Sequence, residues 1–249
     1  MRKATTNLLL LAIFPGLFLA LAGASTPAGS TSTADGEQAF LVGVRLLTGT
    51  ISATQAGHAY AQLASHMLMA LDGEVQSELA RQHGRVPGGA SAVLAMGKLG
   101  GDEMTAASDL DLILIYDFPE ETVGSDGAKP LAGTQYYGRL TQRLVAALSA
   151  PTAEGALYEV DMRLRPSGQK GPVATRLTSF VDYQDKDAWT WEHMALTRAR
   201  VVTGPPALRA AIEQAIRRVL TRPRDRDKIV RDVREMRALI EKEKGTTDI

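Results

Sequence analysis

Apolar residues along this chain follow two rhythms, and the switch between them predicts the architecture. From Ser52, read as an N-cap, to about Gln82, the residues Leu63, Leu68, Leu71, Val75 and Leu79 lie on or near one side of a long helix. A shorter amphipathic helix, "GEQAFLVGVRLLTGT", precedes it and ends near Gly49. The string "HGRVPGGA" stops the long helix. The pattern then shortens. "SAVLAMG" (91–97) is an apolar run bounded by glycine and predicts a buried strand; "KLGGDEMTAA" predicts a turn with room for one helical turn. Residues 109–116 predict a second strand, 117–130 a loop, and 132–149 a helix with Leu140, Leu144 and Leu148 at i, i+4, i+8. "ALYEVDMRLRP" predicts a third strand ended by Pro166, and helices follow near 178–201, 206–220 and 224–244. The expected fold class is α+β, with α/β character: a small mixed sheet flanked by helices.

Three segments are expected. Residues 1–36 combine a basic start, an apolar run from Leu8 to Ala22, the small-x-small triplet Ala22-Gly23-Ala24 and a polar tract from Ser25 to Gly36. This predicts a signal-like leader and a flexible linker, too short and too broken by Pro15 and Gly16 for a spanning helix. Residues 37–204 form the main domain, and 205–249 the start of a helical one. Lysine plus arginine equals aspartate plus glutamate, 28 against 28, so no global field favours nucleic acid. The sequence has no cysteine, which excludes disulfides, thiolate metal sites and a cysteine nucleophile.

The chemistry concentrates in three places. "SDLDLILIY" puts Asp109 and Asp111 on one face at the mouth of an apolar strand, with Leu110, Leu112 and Leu114 on the other. Like charges held side by side are costly unless something offsets them: a metal ion, a pair of arginines, or water at an exposed strand end. "GKLGG" (97–101) offers backbone N–H groups and Lys98 to an anion. Continued alternation through "EVDMRLRP" puts Asp161, Arg163 and Arg165 on one face. Together these fit a site where hard divalent cations, held by aspartates, meet a polyanion. Nucleotidyl transfer needs such a site: Asp109, Asp111 and Asp161 would hold two magnesium ions, the glycine turn and Lys98 the phosphates, and Arg163 or Arg165 the developing charge.

The order Gly-Gly, Ser-Asp-x-Asp and a distant Asp resembles the polymerase-β-like nucleotidyltransferases. The strings "AMGKLGGDEMTAASDLDLILIYDF" and "YEVDMRLRPSGQKGPVATRLTSFVDYQDKDAWTWEHMALTRARVVTG" resemble the bacterial glutamine synthetase adenylyltransferase/deadenylylase family, from about Glu37 onward. "RLRPSG" and "AWTWEHMALTRAR" are similar to its adenylylating, C-terminal copy. The resemblance implies magnesium ligands at Asp109, Asp111 and Asp161, and nucleotide contacts around Gly100, Gly101 and Ser108. It also implies ATP as substrate, a tyrosine of glutamine synthetase as acceptor, the PII protein and glutamine as regulators in full-length members, and a cytoplasmic setting at odds with the leader. The same geometry would serve phosphorolytic removal of AMP, and a truncated copy could act as a docking module; the family's deadenylylating and central regulatory segments have no counterpart here. His193, Trp189 and Trp191 are read as packing residues. Arg198 and Arg200 could face the phosphates, with a solvated helix face as the default reading.

Overall fold

The computed structural model describes residues 28–152, 155, 156 and 158–245. Most of the signal-like leader lies outside them. Among the described residues, no helix is long and apolar enough to cross a membrane.

Helix α2 (Ala53–His83) begins where its capping pattern puts it. Ser52 Oγ accepts the Gln55 N–H at 3.2 Å and Gln55 Oε1 accepts the Ser52 N–H at 2.9 Å, a reciprocal capping box. Helix α1 (Ala28–Leu47) packs against it through Ala39 and Val42. This helix corrects one expectation, since it starts inside the stretch read as a flexible linker. Once Ala39 and Val42 are docked, extending a helix backward costs little, because only nucleation is expensive.

The sheet is built on β2 (Leu110–Asp117). Strand β1 (Ala90–Ala95) pairs with it antiparallel, Ala95 opposite Leu112 and Ala90 opposite Asp117. On the other side of β2 lie two parallel partners, β5 (Val160–Asp161) at its start and β6 (Ala174–Arg176) further along. Strand β7 (Arg200–Val201) pairs antiparallel with β1 at the other edge. The crossover from β2 to its parallel partners passes through α4 (Gly133–Leu148) and a small hairpin, β3 (Pro151–Thr152) with β4 (Gly155–Ala156). The short helix α3 (Gly97–Gly100) links β1 to the loop before β2.

Both faces of β2 are covered beyond its first two residues. Leu110, Leu112, Leu114 and Tyr116 face α2 and α4, where Leu68, Leu79, Leu140 and Leu144 complete one core. Ile113 and Ile115 face a second core formed by Phe180 of α5 (Leu177–Lys186) and by Ile212, Ile216 and Val219 of α7 (Pro206–Thr221). Helix α7, beyond residue 205, thus lies on the same sheet. Helix α8 (Arg226–Gly245) packs beside α6 (Thr190–Ala195).

Two further expectations need correcting. The third strand does not run from 156 to 166; it stops at Asp161, because the Asp161 carboxylate accepts the N–H of Arg163 at 2.7 Å and turns the chain out of the ladder. The single helix expected near 178–201 is α5, α6, a 3₁₀ turn (Leu196–Arg198) and β7 in succession. It breaks at Trp189, which is extended, with its N–H donated to Glu192 Oε2 at 2.8 Å. As a result Trp189 and Trp191 are surface residues beside α8, 68% and 36% exposed, and do not enter the core.

Candidate metal and nucleotide site

Parallel pairing of β2 with β5 sets Asp111 directly beside Asp161, and the Leu110 N–H donates to the Glu159 carbonyl at 2.8 Å to fix that register. Asp109, just before β2, adds a third carboxylate. One oxygen from each of the three lies within 4.8 Å of the others. Asp109 and Asp161 border an open, polar cleft of about 510 Å³ that Met162, Arg163, Arg165 and Gln169 also line.

The three acids differ in electrostatic setting. Burial, then the charges of Asp109 and Asp161, push the Asp111 carboxyl above its ordinary range, while Arg163 and Arg198 pull it back. Asp161 is held below its ordinary range, chiefly by the side-chain hydrogen bond from Arg163: Nε donates at 2.7 Å and Nη2 lies at 2.5 Å from the same oxygen. A like-charged cluster with one member pushed up by its neighbours is a site suited to a cation. Three hard oxygen donors of this kind match magnesium or manganese rather than a softer metal.

The glycine turn is held by its own backbone hydrogen bonds. The N–H groups of Gly100 and Gly101 donate to Met96 O (2.8 Å) and Gly97 O (3.1 Å), so they close the helical turn. The glycines permit close approach of neighbouring groups. Gly97, at φ +52°, would thrust any side chain into the Asp111 carboxylate. Gly100 leaves room for the carbonyls of Ala95 and Arg198, and Gly101 for the Arg198 side chain. Lys98 is exposed on this turn. Asp102, left-handed at φ +62°, is tied to α2 by His58 Nδ1 at 2.7 Å.

The other expected residues fall as follows. Ser108 is buried; its hydroxyl accepts the Thr105 N–H at 2.9 Å and shapes the loop that presents Asp109. Arg165 does not alternate with Asp161 on a strand. It is buried, and its guanidinium donates to the carbonyls of Met162 (2.7 Å), Pro172 (3.0 Å) and Gly171 (3.4 Å), tying together the loop that follows β5. His193 donates from Nε2 to the Gln184 carbonyl at 3.0 Å, and burial pushes its pKa down. Arg200 is engaged by Ser65 Oγ and the Leu99 carbonyl, at 3.1 and 3.0 Å. The residue that sequence reasoning undervalued is Arg198. A place facing the phosphates is one of its two readings from "TRAR", but an unbroken helix does not seat it on Gly100 and Gly101 as the structure does.

A small mixed sheet flanked by helices, with a carboxylate triad at the mouth of its central strand, is the arrangement of a nucleotidyltransferase-type domain. The chain belongs to the glutamate-ammonia ligase adenylyltransferase family, whose model matches residues 35–238. It is 57% identical over 213 residues to the bifunctional glutamine synthetase adenylyltransferase/adenylyl-removing enzyme of Rhizobium meliloti, covering 86% of this chain and 22% of that protein. The enzyme of the same description from Brucella suis is 59% identical over 212 residues, and that from Rhodopseudomonas palustris 55% over 213. These alignments cover 85% and 86% of this chain, and 22% of each relative. The chain therefore spans about a fifth of the length of the curated relatives it matches.

Proposed function

We propose that this chain is a magnesium-dependent nucleotidyltransferase domain that transfers AMP from ATP to a tyrosine of glutamine synthetase. The observation that carries the reading is the convergence of Asp109, Asp111 and Asp161, within 4.8 Å, at the open end of an otherwise buried strand. Family membership supports the substrate class, and the likeness of "RLRPSG" and "AWTWEHMALTRAR" to the adenylylating copy of the family favours the forward direction.

Magnesium bound there would activate the attacking hydroxyl and offset charge on the phosphates. Asp109 and Asp111 would hold both ions and Asp161 would complete one of them. Arg163 keeps Asp161 ionised and fixes its rotamer through paired hydrogen bonds, so the third ligand is already aimed before any ion arrives. Lys98, exposed on the glycine turn, would add positive charge for a polyanion tail. Gly97 keeps the turn against Asp111, so the phosphate side and the metal side cannot drift apart. Arg165 acts at one remove, by holding the loop that carries Arg163. The acceptor tyrosine needs no protein base in this scheme, and His193, committed to Gln184, supplies none. Glutamine synthetase as partner, regulation by PII and glutamine, and a cytoplasmic setting belong to the same proposal.

The test is incorporation of labelled AMP from ATP into glutamine synthetase. Asp109→Asn and Asp111→Asn should each lower the rate by about 10²–10³-fold or more while the melting temperature stays near wild type. Labelling at the wild-type rate by either variant would discard the assignment.

A further inference from the structure

Four arginines surround the carboxylate triad and its glycine turn, and three of them are committed. Arg163 is bound to Asp161, Arg165 to three backbone carbonyls, and Arg200 to Ser65 and Leu99. Arg198 differs. Its partner is Glu103, with Nη1 3.8 Å from Oε1, and the two side chains are 50% and 62% exposed. A solvent-exposed pair at that distance contributes little and exchanges readily for a stronger anion.

The root of Arg198 is nonetheless rigid. Leu196, two residues earlier, is buried in the core, and the Ala199 N–H donates to the Leu196 carbonyl at 3.0 Å. The Arg198 carbonyl packs on Gly100, where a side chain would collide with it, and Cδ crosses Gly101, where a methyl group would sit 3.2 Å away. The two glycines therefore form a seat for this side chain. From that seat its charge reaches Asp111. Arg163, which follows β5, acts on the same carboxylate.

We propose that Arg198 is a phosphate-binding residue of this site, exchanging Glu103 for the triphosphate of the bound nucleotide. The proposal rests on the nucleotidyltransferase reading and deepens it. A triphosphate approaching three carboxylates needs positive charge on its own path. A guanidinium with a fixed root and a free tip provides that charge in a geometry suited to two phosphate oxygens. Gly100 and Gly101 then matter for how closely they let Arg198 lie, not for their N–H groups.

The experiment measures magnesium-dependent affinity for ATP and for AMP by calorimetry on the full chain. Arg198→Gln should weaken ATP about tenfold, the worth of one charge-assisted phosphate contact, and leave AMP within about twofold. Arg198→Lys should recover part of the loss. Glu103→Gln, which frees Arg198, should keep ATP affinity or tighten it by about two- to threefold. Wild-type ATP affinity in Arg198→Gln, or an equal loss of ATP and AMP, would overturn the assignment. Asp109→Asn in the same series separates the two levels. If it loses magnesium-dependent ATP binding while Arg198→Gln does not, only the role of Arg198 falls. If the wild-type chain binds no ATP, the parent reading falls with it.

Discussion

Single atoms decide the geometry around Gly100. A methyl group there would run into the carbonyls of Ala95 and Arg198, both fixed by secondary structure. Gly100→Ala should therefore cost about 1–3 kcal/mol, the usual range for overpacking, and should lower AMP transfer by more than its thermal shift explains, because the turn and Arg198 move together. Thermal unfolding and AMP labelling on the same preparation check both parts. Asp72 shows a different single-residue effect. It is buried on α2, and burial raises its pKa against the opposing hydrogen bonds of Gln76 and Thr203. A carboxyl raised in the folded state contributes most below its unfolded value of about 3.9, and that contribution is lost as pH rises through the folded pKa. Asp72→Asn should thus raise the melting temperature at pH 7, with the gain shrinking toward pH 4. A gain that grows as pH falls would contradict the assignment. Ser52 and the Asp109/Asp111 spacing were readable because each rests on a local rule: a cap three residues before its partner, and two side chains two residues apart on a strand. The burial of Asp72 and its Thr203 partner were not, and neither was the seat of Arg198 on Gly100 and Gly101, because both depend on residues far along the chain.

At the level of elements, the loop after β5 is the part most dependent on tertiary contacts. Asp161 ends the strand by accepting the Arg163 N–H, and Arg165 then gathers the carbonyls of Met162, Gly171 and Pro172. Arg165→Ala would remove the buried guanidinium that ties these three carbonyls together, at a cost of about 1.5–3 kcal/mol, the range for hydrogen bonds to a charged group. It should speed proteolysis between residues 163 and 172 and weaken metal binding through Asp161. Unchanged cleavage kinetics would remove Arg165 from this role. The long elements α2, β1, β2, α4, α7 and α8 were legible to within one or two residues at each end, since each carries enough apolar positions to show its period. Of the short strands, β5 was expected but far too long, and β6 and β7 were not expected at all. Two or three residues show no alternation, and what makes them strands is the ladder of β2 or β1 beside them. The break at Trp189 was hidden because apolar residues recur at helical spacing across it, whereas the deciding contact is Glu192 turning back to the Trp189 N–H.

In the molecule as a whole, one strand organises everything that matters for chemistry. Strand β2 is buried from Leu112 to Tyr116 and opens at its start, where Asp111 follows Asp109, while its parallel partner brings Asp161 to the same end. The cores on either side make that end rigid, so three carboxylates are held together despite their mutual repulsion. The repulsion is what a divalent cation would relieve, so such a cation should stabilise the fold and not merely bind it. The most direct measurement is a titration of manganese into the chain with ATP present, followed by electron paramagnetic resonance, for wild type and for Asp161→Asn. Wild type should sequester manganese, and Asp161→Asn should bind it about tenfold or more weakly. Equal binding by the two would contradict a metal centre shared between β2 and β5.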